Sequence, residues 1–91
     1  MTINQIVAIS LGVVHHDGGI TKDGKSYEAY SKLGYVVVNE SSSRTFYIPR
    51  DNAELQNQII SACSVWGNEF VFDGEMDSHG RITIQSVSSE V

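Results

Sequence analysis

Four groups of side chains in this sequence are of types that could do chemistry. His15, His16 and Asp17 are consecutive. Imidazole and carboxylate are metal-ligand types, but adjacent residues of an extended chain point to opposite faces, and no Cys or His cluster elsewhere completes a set. No metal is therefore expected. Cys63 is the sole thiol; it lies on the apolar side of a helical pattern, where a cysteine packs rather than attacks. Serines and aspartates are plentiful, yet none stands in a nucleophile turn, and Gly18-Gly19 is loop punctuation rather than a phosphate loop. Neither an enzyme nor a cofactor is expected. The fourth group is Tyr27, Tyr30, Tyr35 and Tyr47, interspersed with Lys22, Lys25, Lys32 and Arg44. Rings in strands are usually packing residues and loop lysines are usually solvated, so their use depends on which face of which element they occupy.

The elements that would position them read as strands with one helix. Ile3, Val7, Ile9, Leu11 and Val13 recur with period two, while Ile6, Ala8 and Val14 occupy part of the other parity. This predicts one long strand over residues 3–14 with both faces partly covered, and Gly12 within it marks a bulge or bend. Residues 15–25 are expected to form a loop or the tip of a long hairpin. A second strand is predicted over residues 26–38, with Tyr27, Ala29, Leu33, Tyr35 and Val37 toward the core and Tyr30 and Lys32 outward. After a serine-rich linker, residues 44–48 form a short third strand that Pro49 ends.

Asp51 and Glu54 have capping-box spacing, and Leu55, Ile59, Ala62, Cys63 and Trp66 share one face of a helix over residues 52–65, which Gly67 ends. Trp66 is expected to close the barrel bottom. Phe70, Phe72, Gly74 and Met76 alternate with polar neighbours, a turn comes next at Asp77-Ser78-His79-Gly80, and Ile82 and Ile84 begin the return strand. Residues 86–91 read as a frayed tail.

Length and charge bound the rest. Ninety-one residues suit a single domain over 1–91. No apolar run approaches the roughly 20 residues of a membrane-spanning helix, no secretory pattern begins the chain, and the lone cysteine suits a reducing compartment, so a cytoplasmic location is expected. The net charge of −5 argues against indiscriminate binding of polyanions. Its distribution is uneven. Residues 1–50 set Lys22, Lys25, Lys32, Arg44 and Arg50 against Asp17, Asp23, Glu28 and Glu40, a balance of +1. Residues 51–91 set Arg81 against Asp51, Glu54, Glu69, Asp73, Glu75, Asp77 and Glu90, a balance of −6.

Three strands, a helix and two strands, with a long bent first strand, is an order that resembles the OB-fold. The segment Thr21-Lys22-Asp23-Gly24-Lys25-Ser26-Tyr27 resembles the loop between the first two strands of OB nucleic-acid-binding domains, and Phe70-Val71-Phe72-Asp73-Gly74-Glu75-Met76 with Gly80-Arg81-Ile82-Thr83-Ile84 resembles their closing hairpin. The resemblance implies a mostly β, OB-like five-stranded barrel; the alternative is an α+β antiparallel sheet packed on one helix. It also implies a ligand face on the second and third strands. That face would carry Tyr30, Lys32, Arg44 and Tyr47, flanked by Lys22, Lys25 and Tyr27 on one side and His79 and Arg81 on the other. Single-stranded DNA or RNA is the ligand it suggests, as in small phage and plasmid single-strand binders. The competing expectation is an acidic module or inhibitor of a mobile genetic element that engages a basic protein through Glu54, Glu69, Asp73, Glu75 and Asp77. A homo-oligomer through exposed edge strands is a third.

Overall fold

The computed structural model describes residues 1–89. One five-stranded antiparallel sheet dominates it, built from β1 (Thr2–His16), β4 (Tyr30–Val37), β5 (Arg44–Tyr47), β6 (Glu69–Met76) and β7 (Ile82–Ser88) in the order β5-β4-β1-β6-β7. A separate two-stranded hairpin, β2 (Gly19–Ile20) with β3 (Ser26–Tyr27), projects from the end of β1, and one helix, α1 (Ala53–Cys63), links β5 to β6. The sheet curls into a half-barrel around the helix, an arrangement compatible with the OB-like order.

β1 produces the curl. It pairs with β4 from Ala8 to His16 and with β6 from Thr2 to Ile9, so its two ends belong to different sides of the sheet. Two irregularities bend it. Gln5 adopts a φ of 52°, where the register to β6 shifts, and Gly12 a φ of 94°, where the register to β4 shifts. Each extra residue exchanges the faces of the strand residues beyond it. Ile3 therefore packs inward, then Ile6 and Ala8, then Val13. Ile9, which period two alone groups with Ile3 and Val13, is 39% exposed.

The core is Ala8, Leu33, Tyr35, Phe46, Ile48, Phe70, Phe72, Ile84 and Val87, closed by Leu55, Ile59, Ala62 and Cys63 of α1. Tyr35 meets Phe70 and Phe72 edge-on, at centroid distances of 6.2 and 5.6 Å. The helix packs on β7, β1 and β6.

Several expectations are corrected. The helix is capped by Asn52, whose Oδ1 accepts the Leu55 amide at 3.1 Å, and not by Asp51. It ends at Cys63, so Trp66 leaves the apolar stripe and is 72% exposed. The cause is Ser10, a fully buried hydroxyl residue. Its Oγ donates to the Cys63 carbonyl (2.6 Å), its carbonyl accepts the Gly67 amide (2.7 Å), and its amide donates to Asn68 O (2.8 Å). Those bonds draw the chain back to β1 before another helical turn can form.

The predicted second strand is broken at Glu28-Ala29, so Tyr27 belongs to the small hairpin and is 47% exposed rather than in the core. Ser86 and Ser88, assigned to the tail, are paired with Asp73 and Val71 in β7, whereas Glu90 and Val91 lie outside the described residues. Finally, the cylinder stays open. β5 and β7 approach each other without a ladder between them, and Arg44 bridges the seam by donating from Nη1 to the Gly80 carbonyl at 2.8 Å.

Candidate nucleic-acid interface

Directly opposed residues of paired strands share a face, so register decides which candidate residues meet. His16 opposes Tyr30, Val14 opposes Lys32, and Lys32 opposes Tyr47. Leu33 and Tyr35 of the same strand are buried, so these residues occupy the outer face of the sheet. His16 stacks on Tyr30 with centroids 4.8 Å apart and planes 19° from parallel, and Tyr30 stands 5.9 Å from Tyr47 at 51°. Three strands thus contribute one row of rings. Tyr47 is 65% exposed at the end of that row. His16 backs Tyr30, and its Nε2 is buried without a hydrogen-bond partner.

The flanking hairpin leaves β1 just beyond His16. Its tip is closed by Thr21, whose amide donates to Lys25 O (2.8 Å) and whose Oγ1 accepts the Lys25 amide (3.2 Å), placing Lys22 and Lys25 at an exposed turn. Tyr27 lies over the backbone of Gly19 on the same hairpin.

One expected member of the face, Arg44, is elsewhere, and the flank at Arg81 lies with it. Arg44 shares its parity with buried Phe46, and its guanidinium is held by both oxygens of Glu40, each at 2.9 Å, as well as by Gly80 O. The Arg44 hydrogen bond holds the Glu40 carboxyl below its usual pKa. Arg81 comes directly after that same turn, in which the Asp77 carboxylate accepts the Arg81 and His79 amides, both at 2.9 Å, and is likewise lowered. Arg44 and Arg81 therefore belong to the seam, at the end of β5 opposite Tyr47. Sequence reading missed His16; the alternation of adjacent histidines was the available signal, since one of the two had to join Tyr30.

Beside the ring row, with Tyr30 on its boundary and the opposite face of the same strand ends forming the rest, lies a cavity of about 370 Å³ that sequence reading did not anticipate. Val13, Ala29, Ile48 and Ile60 supply its apolar wall, with His15, Ser31 and Arg50 among its polar groups. His15 Nδ1 and Ser31 Oγ are 3.0 Å apart, and Arg50 pairs with Glu28.

The acidic residues are distributed by the fold. Asp73 accepts the Gln5 amide (2.7 Å) and the Ser86 hydroxyl (3.2 Å), and Glu75 accepts the Thr2 hydroxyl (3.0 Å). These carboxylates sit along β6, which pairs with β1 only as far as Ile9. From Ile9 to His16 is roughly 20 Å of strand, beyond two Debye lengths at physiological salt. Burial raises the Cys63 thiol to about 12, which leaves it unreactive. Among the described residues no group of three His, Cys, Asp or Glu side chains could hold a metal, and no helix is long and apolar enough to cross a membrane. In comparisons with known proteins, no family model, curated protein or solved structure matches the chain.

Proposed function

We propose that the outer face of β4 and β5 binds single-stranded nucleic acid, with bases stacking on Tyr30 and Tyr47 and phosphates meeting Lys32, Lys22 and Lys25. The observation that carries this reading is the continuous row His16, Tyr30, Tyr47 with Lys32 directly opposite Tyr47. Aromatic stacking tolerates any base, and cations beside the rings track the backbone. The separation of the β6 carboxylates from the ring row weakens the objection raised by the net charge of −5. Nearer the rings, Lys22, Lys25, Lys32 and Arg50 stand against Asp17, Asp23 and Glu28, so electrostatic attraction is modest and stacking must provide much of the affinity.

The test is fluorescence anisotropy of a labelled oligothymidine at low salt. Tyr47 is largely exposed, so Tyr47→Ala should leave the melting temperature nearly unchanged while weakening binding by about 5- to 100-fold, the cost of one lost stacking partner. Arg81→Ala, at the distant turn, should have little effect. Absence of binding at about 100 µM protein, a weak affinity for a nucleic-acid binder, would transfer the assignment to a basic protein partner.

A further inference from the structure

The cavity beside the ring row borders it at Tyr30, and the nucleic-acid contacts make no use of its remaining walls. It lies where the inner faces of β1 and β4 end, between the strand termini and Gln56 and Ile60 of α1. Its volume of about 370 Å³ falls at the lower end of the range for small-molecule sites, about 300–1,000 Å³. That suits a molecule of one or two rings.

The lining specifies more than size. Val13, Ala29, Ile48 and Ile60 present carbon on several sides. Ile60 is off the buried stripe of α1 and remains 56% exposed, an apolar side chain that no neighbour of the fold covers but that an occupant of the cavity would. At the rim stands Arg50, paired with Glu28 through side chains that are 62% and 73% exposed. Such a surface ion pair contributes little stability and exchanges readily, whereas a planar carboxylate arriving with an apolar body can take the guanidinium in bidentate fashion. His15 and Ser31, bonded to each other across β1 and β4, add hydrogen-bonding capacity to the lining.

We infer that this cavity is a binding site for a small aromatic carboxylate, with the ring against Val13, Ile48 and Ile60 and the carboxylate displacing Glu28 from Arg50. The site shares Tyr30 with the outer face, but Tyr47 and Lys32 do not line it, so each assignment has residues by which it can fail without the other.

Naphthoate and its neutral counterpart naphthylmethanol, titrated into the isotope-labelled full chain, test it by amide NMR shifts. Naphthoate should produce saturable shifts concentrated at Val13, Ala29, Ser31, Ile48 and Ile60, and should bind about tenfold more tightly than naphthylmethanol. Arg50→Gln, on the surface, should keep the native spectrum and reduce that preference to within about twofold. Ala29→Phe, which fills the cavity, should abolish the shifts from both compounds. The inference is overturned by the absence of saturable shifts up to about 5 mM ligand, by shifts centred on Tyr47, or by equal affinity for both compounds in the native chain. Preference for naphthoate that survives Arg50→Gln also overturns it.

Discussion

Gly74 and Cys63 show how much of this protein is decided by one atom. A Cβ on Gly74 would stand 2.3 Å from the backbone oxygen of Thr83, where β6 and β7 shift register, and neither strand can give way without disturbing the buried Phe72 and Ile84 beside it. Gly74→Ala is expected to destabilise the fold by about 2–3 kcal/mol, read from urea denaturation, whereas the same change at an exposed, unstrained position would cost little. Cys63 is completely buried, and its thiol pKa, raised to about 12 by burial, leaves almost no thiolate near neutral pH. Ellman's reagent should therefore react negligibly with the native chain at about pH 8 and stoichiometrically after denaturation. Rapid native labelling would mean that the helix end opens far more often than the Ser10 bonds to Cys63, Gly67 and Asn68 imply.

At the scale of elements the seam between β5 and β7 is the point of weakness, because side chains and a turn replace a ladder there. Glu40 holds Arg44, and Arg44 holds Gly80 O. The Glu40 carboxyl is lowered in the fold, so its contribution is fully present above about pH 4.5, its ordinary value, and is lost as the pH falls through the lower folded value. Glu40→Gln should lower the melting temperature by a few degrees at pH 7, and the difference from the native chain should vanish near pH 2. A difference that persists undiminished in acid would show that Glu40 acts by packing rather than by its charge. The period-two pattern and the turn residues of this element set were legible in sequence, including the β6–β7 hairpin and the amphipathic helix. Its seam was not, because Arg44 resembles any other cation until Glu40 and Gly80 are brought to it.

Across the whole molecule the fold sorts charges that the sequence only totals. Carboxylates of β6 flank one end of β1 and the ring row flanks the other, so the net charge of −5 is not spread evenly over the molecule. If Lys22, Lys25 and Lys32 are the phosphate contacts, the logarithm of the oligonucleotide affinity should fall against the logarithm of salt concentration with a slope of about −2. A slope near zero would remove the lysines from the interface, and a slope well beyond −3 would require cations that this face does not carry. Lys32→Ala should reduce the magnitude of the slope by somewhat less than one.

Alternation, breakers and helical spacing are local properties, and they determined the five strands of the main sheet and the helix, the core tyrosine Tyr35, and the outward direction of Tyr30 and Lys32. The tertiary structure alone decided the faces of β1, since one additional residue at Gln5 and another at Gly12 exchanges inside and outside, and only pairing with β6 and β4 shows where those residues are absorbed. It also decided the exposure of Trp66, through bonds from Ser10 more than fifty positions away, and the cavity, which exists only where the ends of β1, β4 and α1 converge. Local patterns propagate along the chain at the period of their own element, whereas bulges, seams and cavities arise from contacts between segments whose distance in sequence carries no signal of their meeting.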